Sequence, residues 1–318
     1  MADVIPAAET ATNPPRALDQ IGLWCAIIGA FLFSWKPIFI KLNFALGIDA
    51  ATQLVLRMAF SLPFYLAIGG YALWRRRRDG VPTDLSGNTL LWSAATGFIG
   101  FYGAAILDMT GIGYVTAQFG RLILFTYPTF VVLIGALFFG HTIRRNHLIA
   151  LALSYLGLAI IFLVDLKSFG NQVTLGVALV LASSLVYAVY LLVSRSLIER
   201  QGSQLFTSLS MIAGSLGVAA HFAITNNVSD LAVPVSALWY SLGMALVSTV
   251  IPSILVSEAI GRIGAAPASL AGSAGPVFTT LAAITLLGEQ FTLAHAAGMA
   301  LVIAGIIVLS RGSSREFG

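Results

Sequence analysis

The sequence predicts an all-α polytopic membrane protein, with ten transmembrane helices arranged as two inverted-topology repeats of five. Three observations carry that prediction. Hydrophobic residues make up 58% of the 318 positions and charged residues 9%, whereas a water-soluble domain uses about a quarter charged residues to clothe its surface. Ten apolar stretches of about 20 residues, long enough to cross a bilayer at about 1.5 Å per residue, follow one another between short polar breaks. Part of the chain then recurs 148 residues later, residue 128 matching 276.

Residues 1–18 hold Asp3, Glu9 and Pro14-Pro15 but no basic-then-apolar cleavage pattern, and read as a disordered cytosolic lead-in. The spans read as 21–42, 50–73, 89–109, 113–139, 146–165, 173–194, 204–225, 235–260, 264–287 and 292–310. The first five form a repeat over 19–165, the second five a repeat over 173–311, and 312–318 is a cytosolic tail. No loop can house a nucleotide-binding domain and no GxxxxGK[ST] phosphate loop occurs, which argues against ATP-driven pumping by this chain. Cys25 has no second cysteine to pair with, and no Cys/His cluster offers a metal site, so neither metal nor cofactor is expected.

Orientation follows from the Lys and Arg positions when loops are assigned alternately to two sides. Arg16, Arg75, Arg76, Arg77, Arg78, Arg144, Arg145, Arg195, Arg200, Arg262, Arg311 and Arg315 fall on one side, against Lys41 and Lys167 on the other. Such a bias places both termini in the cytosol, with the arginine run as a topogenic, headgroup-binding cluster rather than a nucleic-acid site. The lipid bilayer is therefore one partner.

The repeat is carried by Pro128/Pro276, Phe130/Phe278, Leu133/Leu281, Gly140/Gly288, His147/His295, Ala152/Ala300, Leu153/Leu301 and Gly157/Gly305. Gly22 and Lys41 also fall opposite Gly176 and Arg195. Five spans per half is an odd number, so the halves must lie upside down relative to each other, the architecture by which a central site opens alternately to either face.

Gly275-Pro276-Val277-Phe278 with Leu286-Leu287-Gly288-Glu289, and the first-half copy Tyr127-Pro128-Thr129-Phe130 through Phe138-Phe139-Gly140, resemble the EamA branch of the drug/metabolite transporter superfamily. Leu56-Arg57-Met58 and Ala188-Val189-Tyr190 are similar to that family too, and the resemblance covers about residues 20 to 311. It implies a proton-coupled or facilitative carrier of a bacterial inner membrane, commonly an exporter of amino acids or related metabolites, with exporters of the YddG kind among its members. Drug-like or other metabolites are the alternative cargo. The sequence departs from the pattern at His141, which stands where the second repeat has Glu289, and at Gly120-Arg121, where an acidic residue is expected.

Ionisable groups inside spans bear the functional weight, because each costs roughly 3 kcal/mol or more at mid-bilayer unless it faces protein or water. Helical rise puts Lys36 about 9 Å, Arg57 about 10 Å and Arg121 about 12 Å below the face opposite the arginines, with Asp108 nearer the surface. Three cations against one carboxylate favour an anionic or carboxylate-bearing solute; the competing reading is a structural pair on Asp108 with the remaining cations snorkelling to headgroups. Glu258, one turn before Arg262, reads as half of a helical ion pair in preference to a proton carrier.

Pro37, Pro63, Pro128, Pro252 and Pro276 each remove an amide donor within a span and predict kinks or local unwinding. The small-residue run 264–276, including Ser273, and the Gly97, Gly100, Gly103 face beside Tyr102 allow either close helix packing or a cavity. Trp35, Tyr102, Tyr127, Tyr187 and Tyr190 are candidate walls for it. An intramembrane enzyme lacks a paired nucleophile and base, and a channel is poorly served by inverted halves.

Overall fold

The computed structural model describes residues 20–139, 145–263 and 274–313, and every regular element among them is helical. The first span is split into α1 (Gln20–Phe33) and α2 (Lys36–Ala45), and α3 (Ala50–Arg78) is the second. The third joins α4 (Gly87–Gly97) to α5 (Ala104–Tyr114) through a π-helical segment, Phe98–Gly103. The fourth is split into α6 (Ala117–Leu124) and α7 (Tyr127–Phe139), and α8 (Arg145–Phe169) closes the first half. In the second half come α9 (Gln172–Gln201) and α10 (Ser203–Thr225). Next, α11 (Val235–Ala245) is joined to α12 (Ile251–Ile263) by a π-helical segment, Leu246–Val250. The last two helices are α13 (Gly275–Leu287) and α14 (Leu293–Ser313).

Eight helical units are long and apolar enough to cross a bilayer, and Gly275–Leu287 and Leu293–Val308 are shorter apolar helices at the ninth and tenth positions. Residues 264–273 of the ninth span's small-residue run, Ser273 among them, and His141 lie outside the described residues. The chain is dressed for lipid: Trp24, Leu66, Trp92, Leu137, Leu216 and Leu281 are exposed, while Asn43, Gln53, Arg57, Asp108 and Ser184 are buried. A bilayer removes the penalty for exposed apolar side chains and leaves polar groups to gather inside.

The two halves are related by inversion. α8 packs on α14 with Gly157 against Gly298 and Ala150 against Gly305, so the contacts run in opposite chain directions, and both glycines of the second helix face backbone carbonyls. α3 and α10 likewise run antiparallel, Asn226 reaching Asp49 at one end (3.4 Å) and Gly69 meeting Ser208 further along. The packing of α5 on α9 is mirrored by α12 on α1. The π-helical segments begin at Phe98 and Leu246, again 148 residues apart. Each places one extra residue in a turn, a local unwinding that recurs at functional positions.

Four of the five span prolines mark a change of helix. Pro37 and Pro276 sit in the first turns of α2 and α13, Pro128 is the second residue of α7, and Pro252 follows the second π-helical segment. At the first three the missing amide falls in a helix's first turn, where no intrahelical bond is left unmade. Pro63 lies inside α3, which runs through it without a break.

Candidate functional site

The break in the first span sits on the seam between the repeats. The Ser34 hydroxyl donates to the Ala30 carbonyl (2.7 Å) or, across the seam, to the Gly275 carbonyl (3.0 Å), and Thr279 Oγ1 donates to the Ser34 carbonyl (3.0 Å). Side chains of the opposite repeat thus satisfy backbone groups that the interrupted helix leaves open, the condition for irregular backbone at membrane depth. The break in the fourth span is stapled in the same way, with Ser184 of α9 beside the Ile123 and Leu124 carbonyls (3.2 and 3.3 Å).

Four charged side chains from four helices come within electrostatic reach of one another. Lys36 opens α2, Arg57 lies in α3, Asp108 in α5 and Arg121 in α6. Lys36 Nζ meets Asp108 Oδ2 at 2.7 Å, with 17% and 3% of the two side chains exposed. Asp108 was expected nearer the surface than the cations; it is buried and shares their layer. The same carboxylate acts electrostatically on Arg57 and on Arg121. Arg121 lies over the Phe125 ring at 4.8 Å, where a guanidinium gains from the ring's negative face. Gly275 lies beside it, where a methyl group would stand in ordinary contact 3.4 Å from Arg121 Nη2.

All four charges come from the first repeat. At the corresponding positions of the second, Tyr190 stands 154 residues after Lys36 and Ser269 stands 148 after Arg121. The second repeat contributes an aromatic wall instead. Tyr127 of α7 meets Tyr187 edge-on at 5.2 Å, Tyr187 stacks on Tyr190 at 5.6 Å, and Tyr190 continues to Phe101 and Phe206. Both Tyr127 and Tyr187 lie within electrostatic reach of Arg121, so the chain of rings begins at the charged layer. Trp35 sits at the first-span break between Phe31 and Phe39. Tyr102 belongs elsewhere: its hydroxyl bonds His221 Nδ1 at 2.9 Å and its ring packs on Phe98. Glu258 and Arg262 form the expected helical pair at 2.6 Å.

A second polar knot joins the repeats at the end remote from the arginine run, and sequence reasoning did not find it. The Glu289 carboxylate caps α6, accepting the Ala117 N–H at 2.6 Å and the Gln118 N–H at 3.3 Å. Burial pushes the Glu289 carboxyl up from its ordinary value, against the pull of those two N–H groups. Asp165 and His295 form a buried pair at 3.1 Å, and Thr116 lies 3.4 Å from Asp165. The Thr292 N–H donates to His295 Nδ1 at 3.3 Å, which leaves Nε2 as the nitrogen that donates to Asp165. Lys41, counted from the sequence as a loop residue, acts on both Glu289 and Asp165. Two residues of this knot were already visible as parts of patterns, Glu289 in the second-repeat motif and His295 in the repeat itself.

The EamA-like transporter family model matches residues 20–163 and again 174–311. This chain belongs to the EamA-like transporter family. The two matches are its two repeats, and its place in the drug/metabolite transporter superfamily follows. Among relatives, the uncharacterized transporter YcbK of Bacillus subtilis is 28% identical over 86% of this chain and 87% of its own. An uncharacterized transporter of Archaeoglobus fulgidus is 24% identical over 90% and 94%. A solved structure with 16% identity superposes with a TM-score of 0.59 over 94% of this chain and 99% of its own, so the fold is shared. The EamA-like protein is accordingly a multi-pass membrane protein of a transporter family, a class whose partners are a small-molecule solute and the surrounding lipid.

Proposed function

We propose that this chain is a secondary carrier that binds carboxylate-bearing solutes, amino acids foremost, at the Lys36, Arg57, Asp108 and Arg121 layer and exports them by alternating access across a bacterial inner membrane. The observation that carries the reading is the layer itself: three buried or half-buried cations share one carboxylate. Embedded charge on that scale is expensive unless it serves a solute path. The charged wall belongs to the first repeat and most of the aromatic wall to the second, so rocking one repeat on the other would expose the space between them to either side. Relatives named as transporters support carriage of small solutes, and the positive-inside bias supports cytosolic termini. The knot of Asp165, His295, Glu289 and Lys41 gives proton coupling its support, because it gathers protonatable side chains at one place and ties the repeats together.

The test is uptake of labelled amino acids into proteoliposomes holding the full chain, with and without a pH gradient. Saturable flux of a carboxylate-bearing solute is expected. Flux that rises linearly with concentration, with no half-saturation, would assign a pore instead.

A further inference from the structure

We propose that the solute carries two carboxylates and one ammonium group, as an acidic α-amino acid does. The inference rests on the carrier reading above and deepens it by assigning the charge class of the cargo. Lys36 and Asp108 cancel each other as an ion pair. Arg57 and Arg121 remain, and a guanidinium cannot shed its proton in a protein. The two internal segments outside the described residues, 140–144 and 264–273, contain no Asp or Glu. The layer therefore holds two positive charges that the described residues do not balance.

The pattern of unmade hydrogen bonds agrees. Arg57 Nε, Arg121 Nε and Asp108 Oδ1 are buried and have no partner among the described residues. Arg57 is 5% exposed and Asp108 2%, so water at a surface does not relieve them. Two are cationic donors, each suited to one carboxylate, and the third is an anionic acceptor suited to an ammonium group. A solute with one carboxylate leaves a buried guanidinium unbalanced. A solute with two carboxylates and no ammonium leaves Asp108 Oδ1 unmet. Only the combination satisfies all three atoms and reduces the surplus charge.

Binding to the purified full chain, read as a thermal-midpoint shift over a concentration series, tests this with L-glutamate, L-glutamine, succinate and glycerol phosphate as probes. Glutamate is expected to bind most tightly, with succinate and glutamine each about tenfold or more weaker, the effect of losing one charge-assisted bond. In Arg121→Met the glutamate affinity should fall roughly ten- to hundredfold, towards that of glutamine. Should that variant fail to fold, the order of the four probes on the parent protein decides alone. Glutamine binding as well as glutamate would overturn the inference while leaving the carrier reading intact, which saturable glutamine flux would then show separately. Tighter binding of glycerol phosphate would assign a phosphate monoester and overturn it too, as would failure of every acidic probe to bind.

Discussion

Replacing Asp108 by Asn should destabilise the protein more than replacing Lys36 by Met, although each change breaks the same 2.7 Å ion pair. Lys36→Met keeps the apolar stem and leaves Asp108 within the fields of Arg57 and Arg121, so the loss is one charge-assisted hydrogen bond, about 1.5 to 3 kcal/mol. Asp108→Asn leaves three cations with no anion at the same depth, and an uncompensated buried charge costs about 3 to 5 kcal/mol. Adding Lys36→Met to Asp108→Asn removes one of those cations, so the double variant should be more stable than Asp108→Asn alone. Thermal midpoints of the four detergent-purified proteins should rank, highest first, parent, Lys36→Met, the double variant and Asp108→Asn. A Lys36→Met protein less stable than Asp108→Asn would refute the reasoning, because Asp108 would then not be the shared counter-charge, and so would a double variant whose loss is the sum of the two single losses, because additive losses mean that the side chains do not interact.

Gly298→Val should cost about 1 to 3 kcal/mol by overpacking, because a methyl group there would lie 2.6 Å from the Gly157 carbonyl, whereas Gly70→Ala, with open space around it, should leave the thermal midpoint unchanged. Burial raises the Glu289 carboxyl above its ordinary 4.5, so its contribution to stability is complete below pH 4.5 and is lost as pH rises through the folded-state value. Glu289→Gln should flatten that fall in a stability profile against pH; a profile as steep as the parent's would assign the slope to another group. In a Cys25→Ser background, Val81→Cys should react with an impermeant thiol reagent only from the cytosolic side and Val228→Cys only from outside, both positions being exposed; the reverse pattern would invert the topology.

The span pattern was legible because lipid demands long apolar runs, and the inversion because an odd number of spans admits no other relation between repeated halves. Lys36, Arg57 and Arg121 were found by their cost, since a charge inside a span stands out against its neighbours. Asp108 was placed too near the surface because depth counted along a straight helix ignores both the π-helical segment before it and the reach of the lysine side chain. The helix breaks at Ser34 and Thr126 were half legible: proline marks them, but the hydroxyls of Thr279 and Ser184 that satisfy them come from the other repeat. Nothing in local sequence links Asp165 to His295, or Glu289 to Ala117, across 130 and 172 residues. Tyr102 shows the converse limit, since an aromatic beside a small-residue face serves His221 as readily as a solute.

The central claim, that the Lys36, Arg57, Asp108 and Arg121 layer is where a carried solute binds, is tested most directly by counterflow. Proteoliposomes loaded with unlabelled L-glutamate are given a trace of the labelled compound outside, and transient accumulation above equilibrium is followed in the parent and in a folded Arg57→Met variant. The account predicts accumulation by the parent, since a carrier returns loaded more often than empty, and a half-saturating concentration raised roughly ten- to hundredfold in the variant. Parent-like counterflow with an unchanged half-saturating concentration in Arg57→Met would contradict it.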